Sequence, residues 1–255
     1  MIDLLRCELK RTWIQLIRYP TEIISGIAII SVVFYGLFLS AQYMAGPVAG
    51  YGDRLDSIVV GYVLWTLALY VVNDIANNIQ GEASTGTLEQ VFLSPFGAPK
   101  IFFARAVASV IFRVALIAII LQILILMTGS QLAFPITLIW PVITLLLATY
   151  GFAFVMGSAA LVFKQVQQVL PIFNFLLLFL LAAPTEEMGS AAVTGLLPML
   201  PSTAVIRALM ARNEPLDGTQ MLMALANGLV YFGLGLLVFR WAEQQAKKRG
   251  ILGGY

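Results

Sequence analysis

Six runs of about twenty mostly apolar residues, parted by short polar breaks, leave this chain few ways to fold. They are Ile23–Met44, Ile58–Ile79, Ile101–Met127, Ile136–Phe163, Val169–Ala183 and Met221–Phe239. A helix rises 1.5 Å per residue, so about 20 residues match a bilayer core about 30 Å thick. The fifth run is short for a crossing unless Lys164–Gln168 extends it. The charge content agrees with this reading, because only 11% of the 255 residues are charged and 60% are hydrophobic. Soluble domains carry roughly 25% charge, and so little charge cannot cover a globule of this size in water. Lipid removes that requirement. The expected fold class is an all-α integral membrane protein with six transmembrane helices.

The segments between the runs refine the plan. Met1–Tyr19 lacks the short apolar core and cleavage site of a signal peptide. Instead Ile2, Leu5, Leu9, Trp13 and Leu16 recur at helical spacing, with Asp3, Arg6, Lys10, Arg11 and Gln15 largely on other faces. Residues 1–20 are therefore expected to form an amphipathic helix at the membrane interface, either a simple anchor or a helix that also touches a cytoplasmic partner. Before the last run, residues 184–220 are moderately apolar and carry Pro184, Pro198, Pro201 and Pro215, which forbid one straight helix. A re-entrant pair of short helices on the outer side is expected there.

Basic residues set the orientation. Arg6, Lys10, Arg11 and Arg18 precede the first run, and Lys100 and Arg105 flank the third. Lys164 follows the fourth, and Arg240, Lys247, Lys248 and Arg249 follow the sixth. Six spans put all of these on one side and leave Arg54, Arg207 and Arg212 on the other. The positive-inside rule then makes both termini cytoplasmic, in the cytoplasmic (inner) membrane.

The loop at residues 80–100 reads QGEASTGTLEQVFLSPFGAPK. Glu82, Gly86 and Glu89 are spaced to share one helical face, and Leu88, Val91 and Phe92 another. Ser94–Pro95 is expected to end that helix, and Gly97 and Pro99 to turn the chain back. On residues alone, this is either an ordinary loop helix or a docking element. The stretch of Glu82, then Gly86-Thr87-Leu88-Glu89-Gln90, then Ser94-Pro95 resembles the signature of ABC-2-type (type V) transporter permeases, in the drug- and antibiotic-resistance branch. Leu200-Pro201-Ser202-Thr203 with Ile206 and Arg207 is similar to the stretch before that family's last span, although Ser202 stands where a leucine is usual. With the interface helix, six spans and re-entrant segment, the resemblance covers nearly the whole of residues 1–255, as a single transmembrane domain.

The resemblance implies a permease subunit that pairs with a second copy or a similar permease and binds an ABC ATPase. Residues 80–100 would hold a coupling helix seated on that ATPase, with Glu82, Gly86, Thr87 and Glu89 at or near the contact. ATP and magnesium would bind the partner, because this chain has no G-x-x-x-x-G-K-[ST] loop and no Gly-Lys pair at all. No catalytic role is therefore expected of it. With no histidine and one cysteine, Cys7, no metal ligand set or disulfide framework is expected either. The net charge of +2 is unremarkable; membrane lipids are the remaining expected partners, and nucleic acid is not expected.

Polar residues inside the runs need partners. Arg113 stands midway along the third run, where an arginine costs about 2.5–3.5 kcal/mol on insertion scales. Asp74, with Asn73, Asn77 and Asn78, is the nearest source of a counter-charge. A structural ion pair and a substrate or gating contact both fit. Glu186 and Glu187 follow Pro184 on the outer side, where Arg207 and Arg212 are candidate partners. Asn174, Gln122 and Asn227 suit interhelical hydrogen bonds, and Gly151, Gly157, Gly228, Gly233 and Gly235 suit close helix approach. The expected function is export of a hydrophobic or amphipathic substrate. A lipid-linked glycan or natural product is the alternative within the family, and a secondary carrier the alternative outside it.

Overall fold

The computed structural model describes residues 2–45, 52–128, 132–163, 168, 170–182 and 195–248. Among them every regular element is helical. The helices are α1 (Ile2–Arg18), α2 (Pro20–Ala45), α3 (Gly52–Ser84), α4 (Leu88–Leu93) and α5 (Ala98–Thr128). A short 3-10 turn, Ile136–Leu138, leads into α6 (Ile139–Phe163), followed by α7 (Leu170–Ala182), α8 (Leu200–Met210) and α9 (Gly218–Lys248).

Four of these have the length and apolarity to cross a bilayer: Asp56–Ser84, Lys100–Thr128, Ile136–Leu161 and Gly218–Lys248. Asp3–Arg18 and Ile23–Gly36 make a fifth if a span can bend by 79°. The bend has a local cause. Pro20 pushes the preceding Tyr19 out of helical conformation, yet a proline suits the first position of a new helix. Of the expected fifth run the described residues form α7, 13 residues long and about 20 Å at 1.5 Å each, while most of the Lys164–Gln168 extension lies outside the described residues.

Contacts fix the direction of each helix. The Phe34 ring of α2 lies 4.7 Å from that of Tyr62 of α3, while Gly26 lies by Tyr70, so the two run antiparallel. Tyr150 of α6 donates to the Ala106 carbonyl of α5 at 2.7 Å, and Phe154 meets Phe103, again antiparallel. α6 and α9 run parallel, because Thr144 meets Gly228 and Gly151 meets Gly235. α7 returns against α6, with Phe173 beside Phe152 and the Leu181 carbonyl beside α8. Directions thus alternate through α2, α3, α5, α6, α7 and α9. α3 is the central helix: 67% of its most apolar stretch is buried, against 22% for α5 and 28% for α9.

The α6–α9 seam is the closest in the bundle. A Cβ on Gly235 would lie 2.1 Å from the Gly151 carbonyl oxygen, and one on Gly151 would lie 2.2 Å from that of Tyr231. Gly228 approaches the Thr144 carbonyl in the same way, and Gly157 receives Ile75 of α3. Gly233 meets nothing within 4 Å and takes no part in the seam. Without a hydrophobic force between helices in lipid, such backbone contact supplies dispersion that larger side chains would prevent.

α8 rises from inside the bundle. Asn227 of α9 donates to the Gly195 and Leu197 carbonyls and accepts from the Met199 amide, while Tyr231 donates to Leu196. Tyr231 is 13 residues into α9, about 20 Å from its start. At its other end α8 brings the Met210 carbonyl to the Ala133 amide, 2.9 Å away at the mouth of the bundle. The described part of residues 184–220 therefore climbs from depth to the surface. Met199, at φ 67°, makes the turn into α8 between Pro198 and Pro201.

Candidate functional site

Asp74, Asn78 and Glu82 stand four residues apart on α3, and Arg105, Ser109 and Arg113 stand four apart on α5. Residues spaced by four share a helix face, so two antiparallel helices set these triplets opposite one another as a ladder. At one rung Arg113 Nη2 donates to Asp74 Oδ1 at 2.8 Å, and Ser109 Oγ donates to Asp74 Oδ2 at 2.8 Å. The Arg113 guanidinium also lies 4.7 Å from the centre of the Tyr70 ring. Expected partners from sequence are thus joined, with Asp74 the residue that meets Arg113.

The other rung is built on Arg105. Its Nη1 donates to Glu82 Oε1 at 2.8 Å and reaches Asn78 Oδ1 at 3.5 Å, while its Nε reaches Glu8 Oε1 of α1 at 3.5 Å. The side chains of Arg105 and Glu8 are 11% exposed and that of Glu82 16%, so the network is largely shielded from solvent. Glu82 also accepts a hydrogen bond from Thr87, the residue that opens α4. One arginine therefore ties α1, α3, α5 and the start of α4 together. Nothing here resembles a nucleophile and its base. Paired charges that lose heavily when separated are instead suited to holding elements in register.

The helix expected over Glu82–Phe92 is divided. Glu82 belongs to the last turn of α3, and α4 begins only at Leu88. Gly86 causes the division, since its φ of +72° is left-handed and leaves the helix. Glu82, Gly86 and Glu89 therefore do not share one helical face. Ser94 does end α4, and Gly97, at φ +78°, turns the chain into α5. Phe92 packs inward, with Lys247 Nζ of α9 5.6 Å from its ring, while Leu93 is 83% exposed and Phe96 51%. α1, α4 and the end of α9 therefore share one end of the bundle, with an apolar pair projecting from it.

Arg207 is buried in α8, where it donates to the Leu181 carbonyl of α7. Arg212 pairs with Glu214 at 3.3 Å. Glu186 and Glu187 lie outside the described residues.

Three members of the network, Ser109 among them, escaped the sequence reading. Arg105 stood only as a topology signal, and Glu8 was not singled out at all, yet Glu8 is the most buried charged residue of α1. The four-residue spacing of opposite polar triplets was the available signal for Arg105. Nothing local marks Glu8, which lies 97 residues from its partner.

Between α1, α2, α3 and α5 the ladder faces a cavity of about 440 Å³. Glu8, Arg11, Asp74, Arg105 and Arg113 line it, with Tyr70 and Phe112 among its walls. Among the described residues no group of three His, Cys, Asp or Glu could hold a metal. No protein-family model matches the chain, and no curated protein matches it.

Proposed function

We propose that this chain is the membrane-spanning subunit of an ATP-driven exporter of the ABC-2 type. In this reading it crosses the cytoplasmic membrane six times, with α2 and α7 completing the set and both termini in the cytoplasm. It works as a pair, with a second copy or a similar permease, and α1 lies along the inner interface. α4 is the element that meets a separate ATPase, which holds ATP and magnesium. The substrate is a hydrophobic or amphipathic compound, passed along a path between the paired subunits.

The observation that carries this reading is the linkage at the α4 end. α4 and the turn after it offer Leu93 and Phe96 to a partner, while Thr87, Glu82 and Arg105 connect the start of α4 to α1, α3 and α5. A partner that bound two positions of α4 with different free energy would thereby bias two arrangements of the bundle. The alternating helix directions support six passes, and the clustering of Arg105, Lys247 and α1 at one end supports the orientation.

The test is co-expression with an ABC ATPase from a neighbouring reading frame. The two are expected to co-purify and to drive ATP-dependent efflux of an amphipathic dye. Leu93→Asp should abolish co-purification while the chain still inserts, and Glu89→Ala should reduce efflux more than binding. Efflux by the purified chain without any ATPase would overturn the reading.

A further inference from the structure

The cavity between α1 and the ladder has the makings of a binding site that the proposed ATPase coupling does not use. Three arginines (Arg11, Arg105 and Arg113) and two carboxylates (Glu8 and Asp74) line it, and Arg105 is also paired with Glu82. The donors are not all spent. Arg113 gives one N–H to Asp74, its Nε is buried without a hydrogen-bond partner, and its side chain keeps 30% exposure. Arg11 lies 3.7 Å from Glu8 and its side chain is 46% exposed. Glu8 is itself 8% exposed, and its Oε2 accepts no hydrogen bond. Guanidinium N–H groups left over at Arg113 and Arg11 favour an anionic oxygen acceptor such as a phosphate.

The setting decides between a free anion and an amphiphile. At about 440 Å³ the cavity lies at the small end of ligand pockets. It has room for a polar headgroup and not for acyl chains. Leu16, Ile23, Phe112 and Leu116 form its apolar walls. Beside it, α1 exposes Trp13 and Ile17 and α2 exposes Ile24, by 54%, 63% and 66%, so the surface next to the polar cavity is greasy. A basic helix with exposed Trp and Ile, turned 79° from the next one, suits the level where headgroups meet acyl chains. We propose that this cavity binds the headgroup of a singly anionic phosphodiester lipid, with its chains lying outside along α1 and α2. Arg113 and Arg11 receive the phosphate. The bound lipid then bridges α1 to α3 and α5 and stabilises the arrangement that the Glu8–Arg105–Glu82 network holds.

Binding is measured on the full-length chain, purified in detergent and stripped of lipid, by native mass spectrometry. Phosphatidylglycerol and phosphatidylcholine of the same chain length are titrated separately. Phosphatidylglycerol should bind at least about tenfold more tightly, the scale of one charge-assisted hydrogen bond. Gly26→Leu fills the cavity from α2, where an added Cβ meets only the Tyr70 hydroxyl at 3.7 Å. Arg11→Gln removes a half-exposed charge. Each should weaken phosphatidylglycerol by about tenfold, leave phosphatidylcholine unchanged, and leave the lipid-free unfolding midpoint where it was. Equal affinity for the two lipids, or no effect of Gly26→Leu, overturns the proposal. So does displacement of phosphatidylglycerol by inorganic phosphate, which would make the site one for a free anion. None of these outcomes depends on an ATPase.

Discussion

Arg105 holds two carboxylates that have little access to water, so removing it should be costly. Arg105→Gln leaves Glu8 and Glu82 without their shared cation, and breaking a buried pair costs about 3–5 kcal/mol. Arg105→Lys should lose less but not nothing, because an ammonium cannot reproduce the fork that reaches Glu8 through Nε and Glu82 through Nη1. Thermal unfolding in detergent should rank wild type above the lysine variant and that above the glutamine variant. Indistinguishable midpoints would mean the network does not hold the elements together. Gly86 gives a second residue-level test. An added Cβ there meets nothing within 4 Å, so the cost of Gly86→Ala comes from its positive φ alone. A loss of roughly 1–2 kcal/mol is expected in the same assay, against no loss for Gly36→Ala, which has helical backbone and open space.

At the scale of elements, the α6–α9 seam separates glycines that look alike in sequence. Gly235→Ala drives a methyl into the Gly151 backbone and should cost about 1–3 kcal/mol or more, while Gly233→Ala, two residues away, should be neutral or slightly stabilising. Denaturation of the two variants side by side checks this, and equal effects would refute the seam as described. The helices themselves were largely legible in the sequence. Long apolar runs, Pro20 before α2 and Ser94–Pro95 after α4 marked their positions, because solvent matching and proline geometry act locally. The break at Gly86 was less legible. Glycine is tolerated within helices, and only the turn back toward α5 makes its left-handed backbone necessary.

For the whole molecule, topology makes the sharpest test. Cys7 is exposed on α1, at the end of the bundle that carries α4. With Cys7 replaced by serine, Leu93→Cys and Glu214→Cys place single thiols at opposite ends. A membrane-impermeant maleimide applied to intact cells should label the Glu214→Cys variant and spare native Cys7 and the Leu93→Cys variant. Labelling of positions 93 and 214 from the same face would exclude the six-pass arrangement. Lys248→Cys should behave as Cys7 does, because an even number of crossings returns the chain to its starting side.

By itself the sequence determined the solvent of this protein and the rough placement of its helices. Those follow from composition and from periodicities that neighbouring residues impose on one another. It also offered Asp74 as the counter-charge for Arg113, since an intramembrane charge demands one. Tertiary structure alone decided that Glu8 turns inward to Arg105 rather than outward with the other charges of α1. It also decided that Arg207 is buried and donates to a backbone carbonyl of α7, and that Gly235 but not Gly233 lies in the seam. Each of these depends on the rotation of one helix about its axis against another distant in the chain. Packing of the assembled bundle sets that rotation, and no local pattern encodes it.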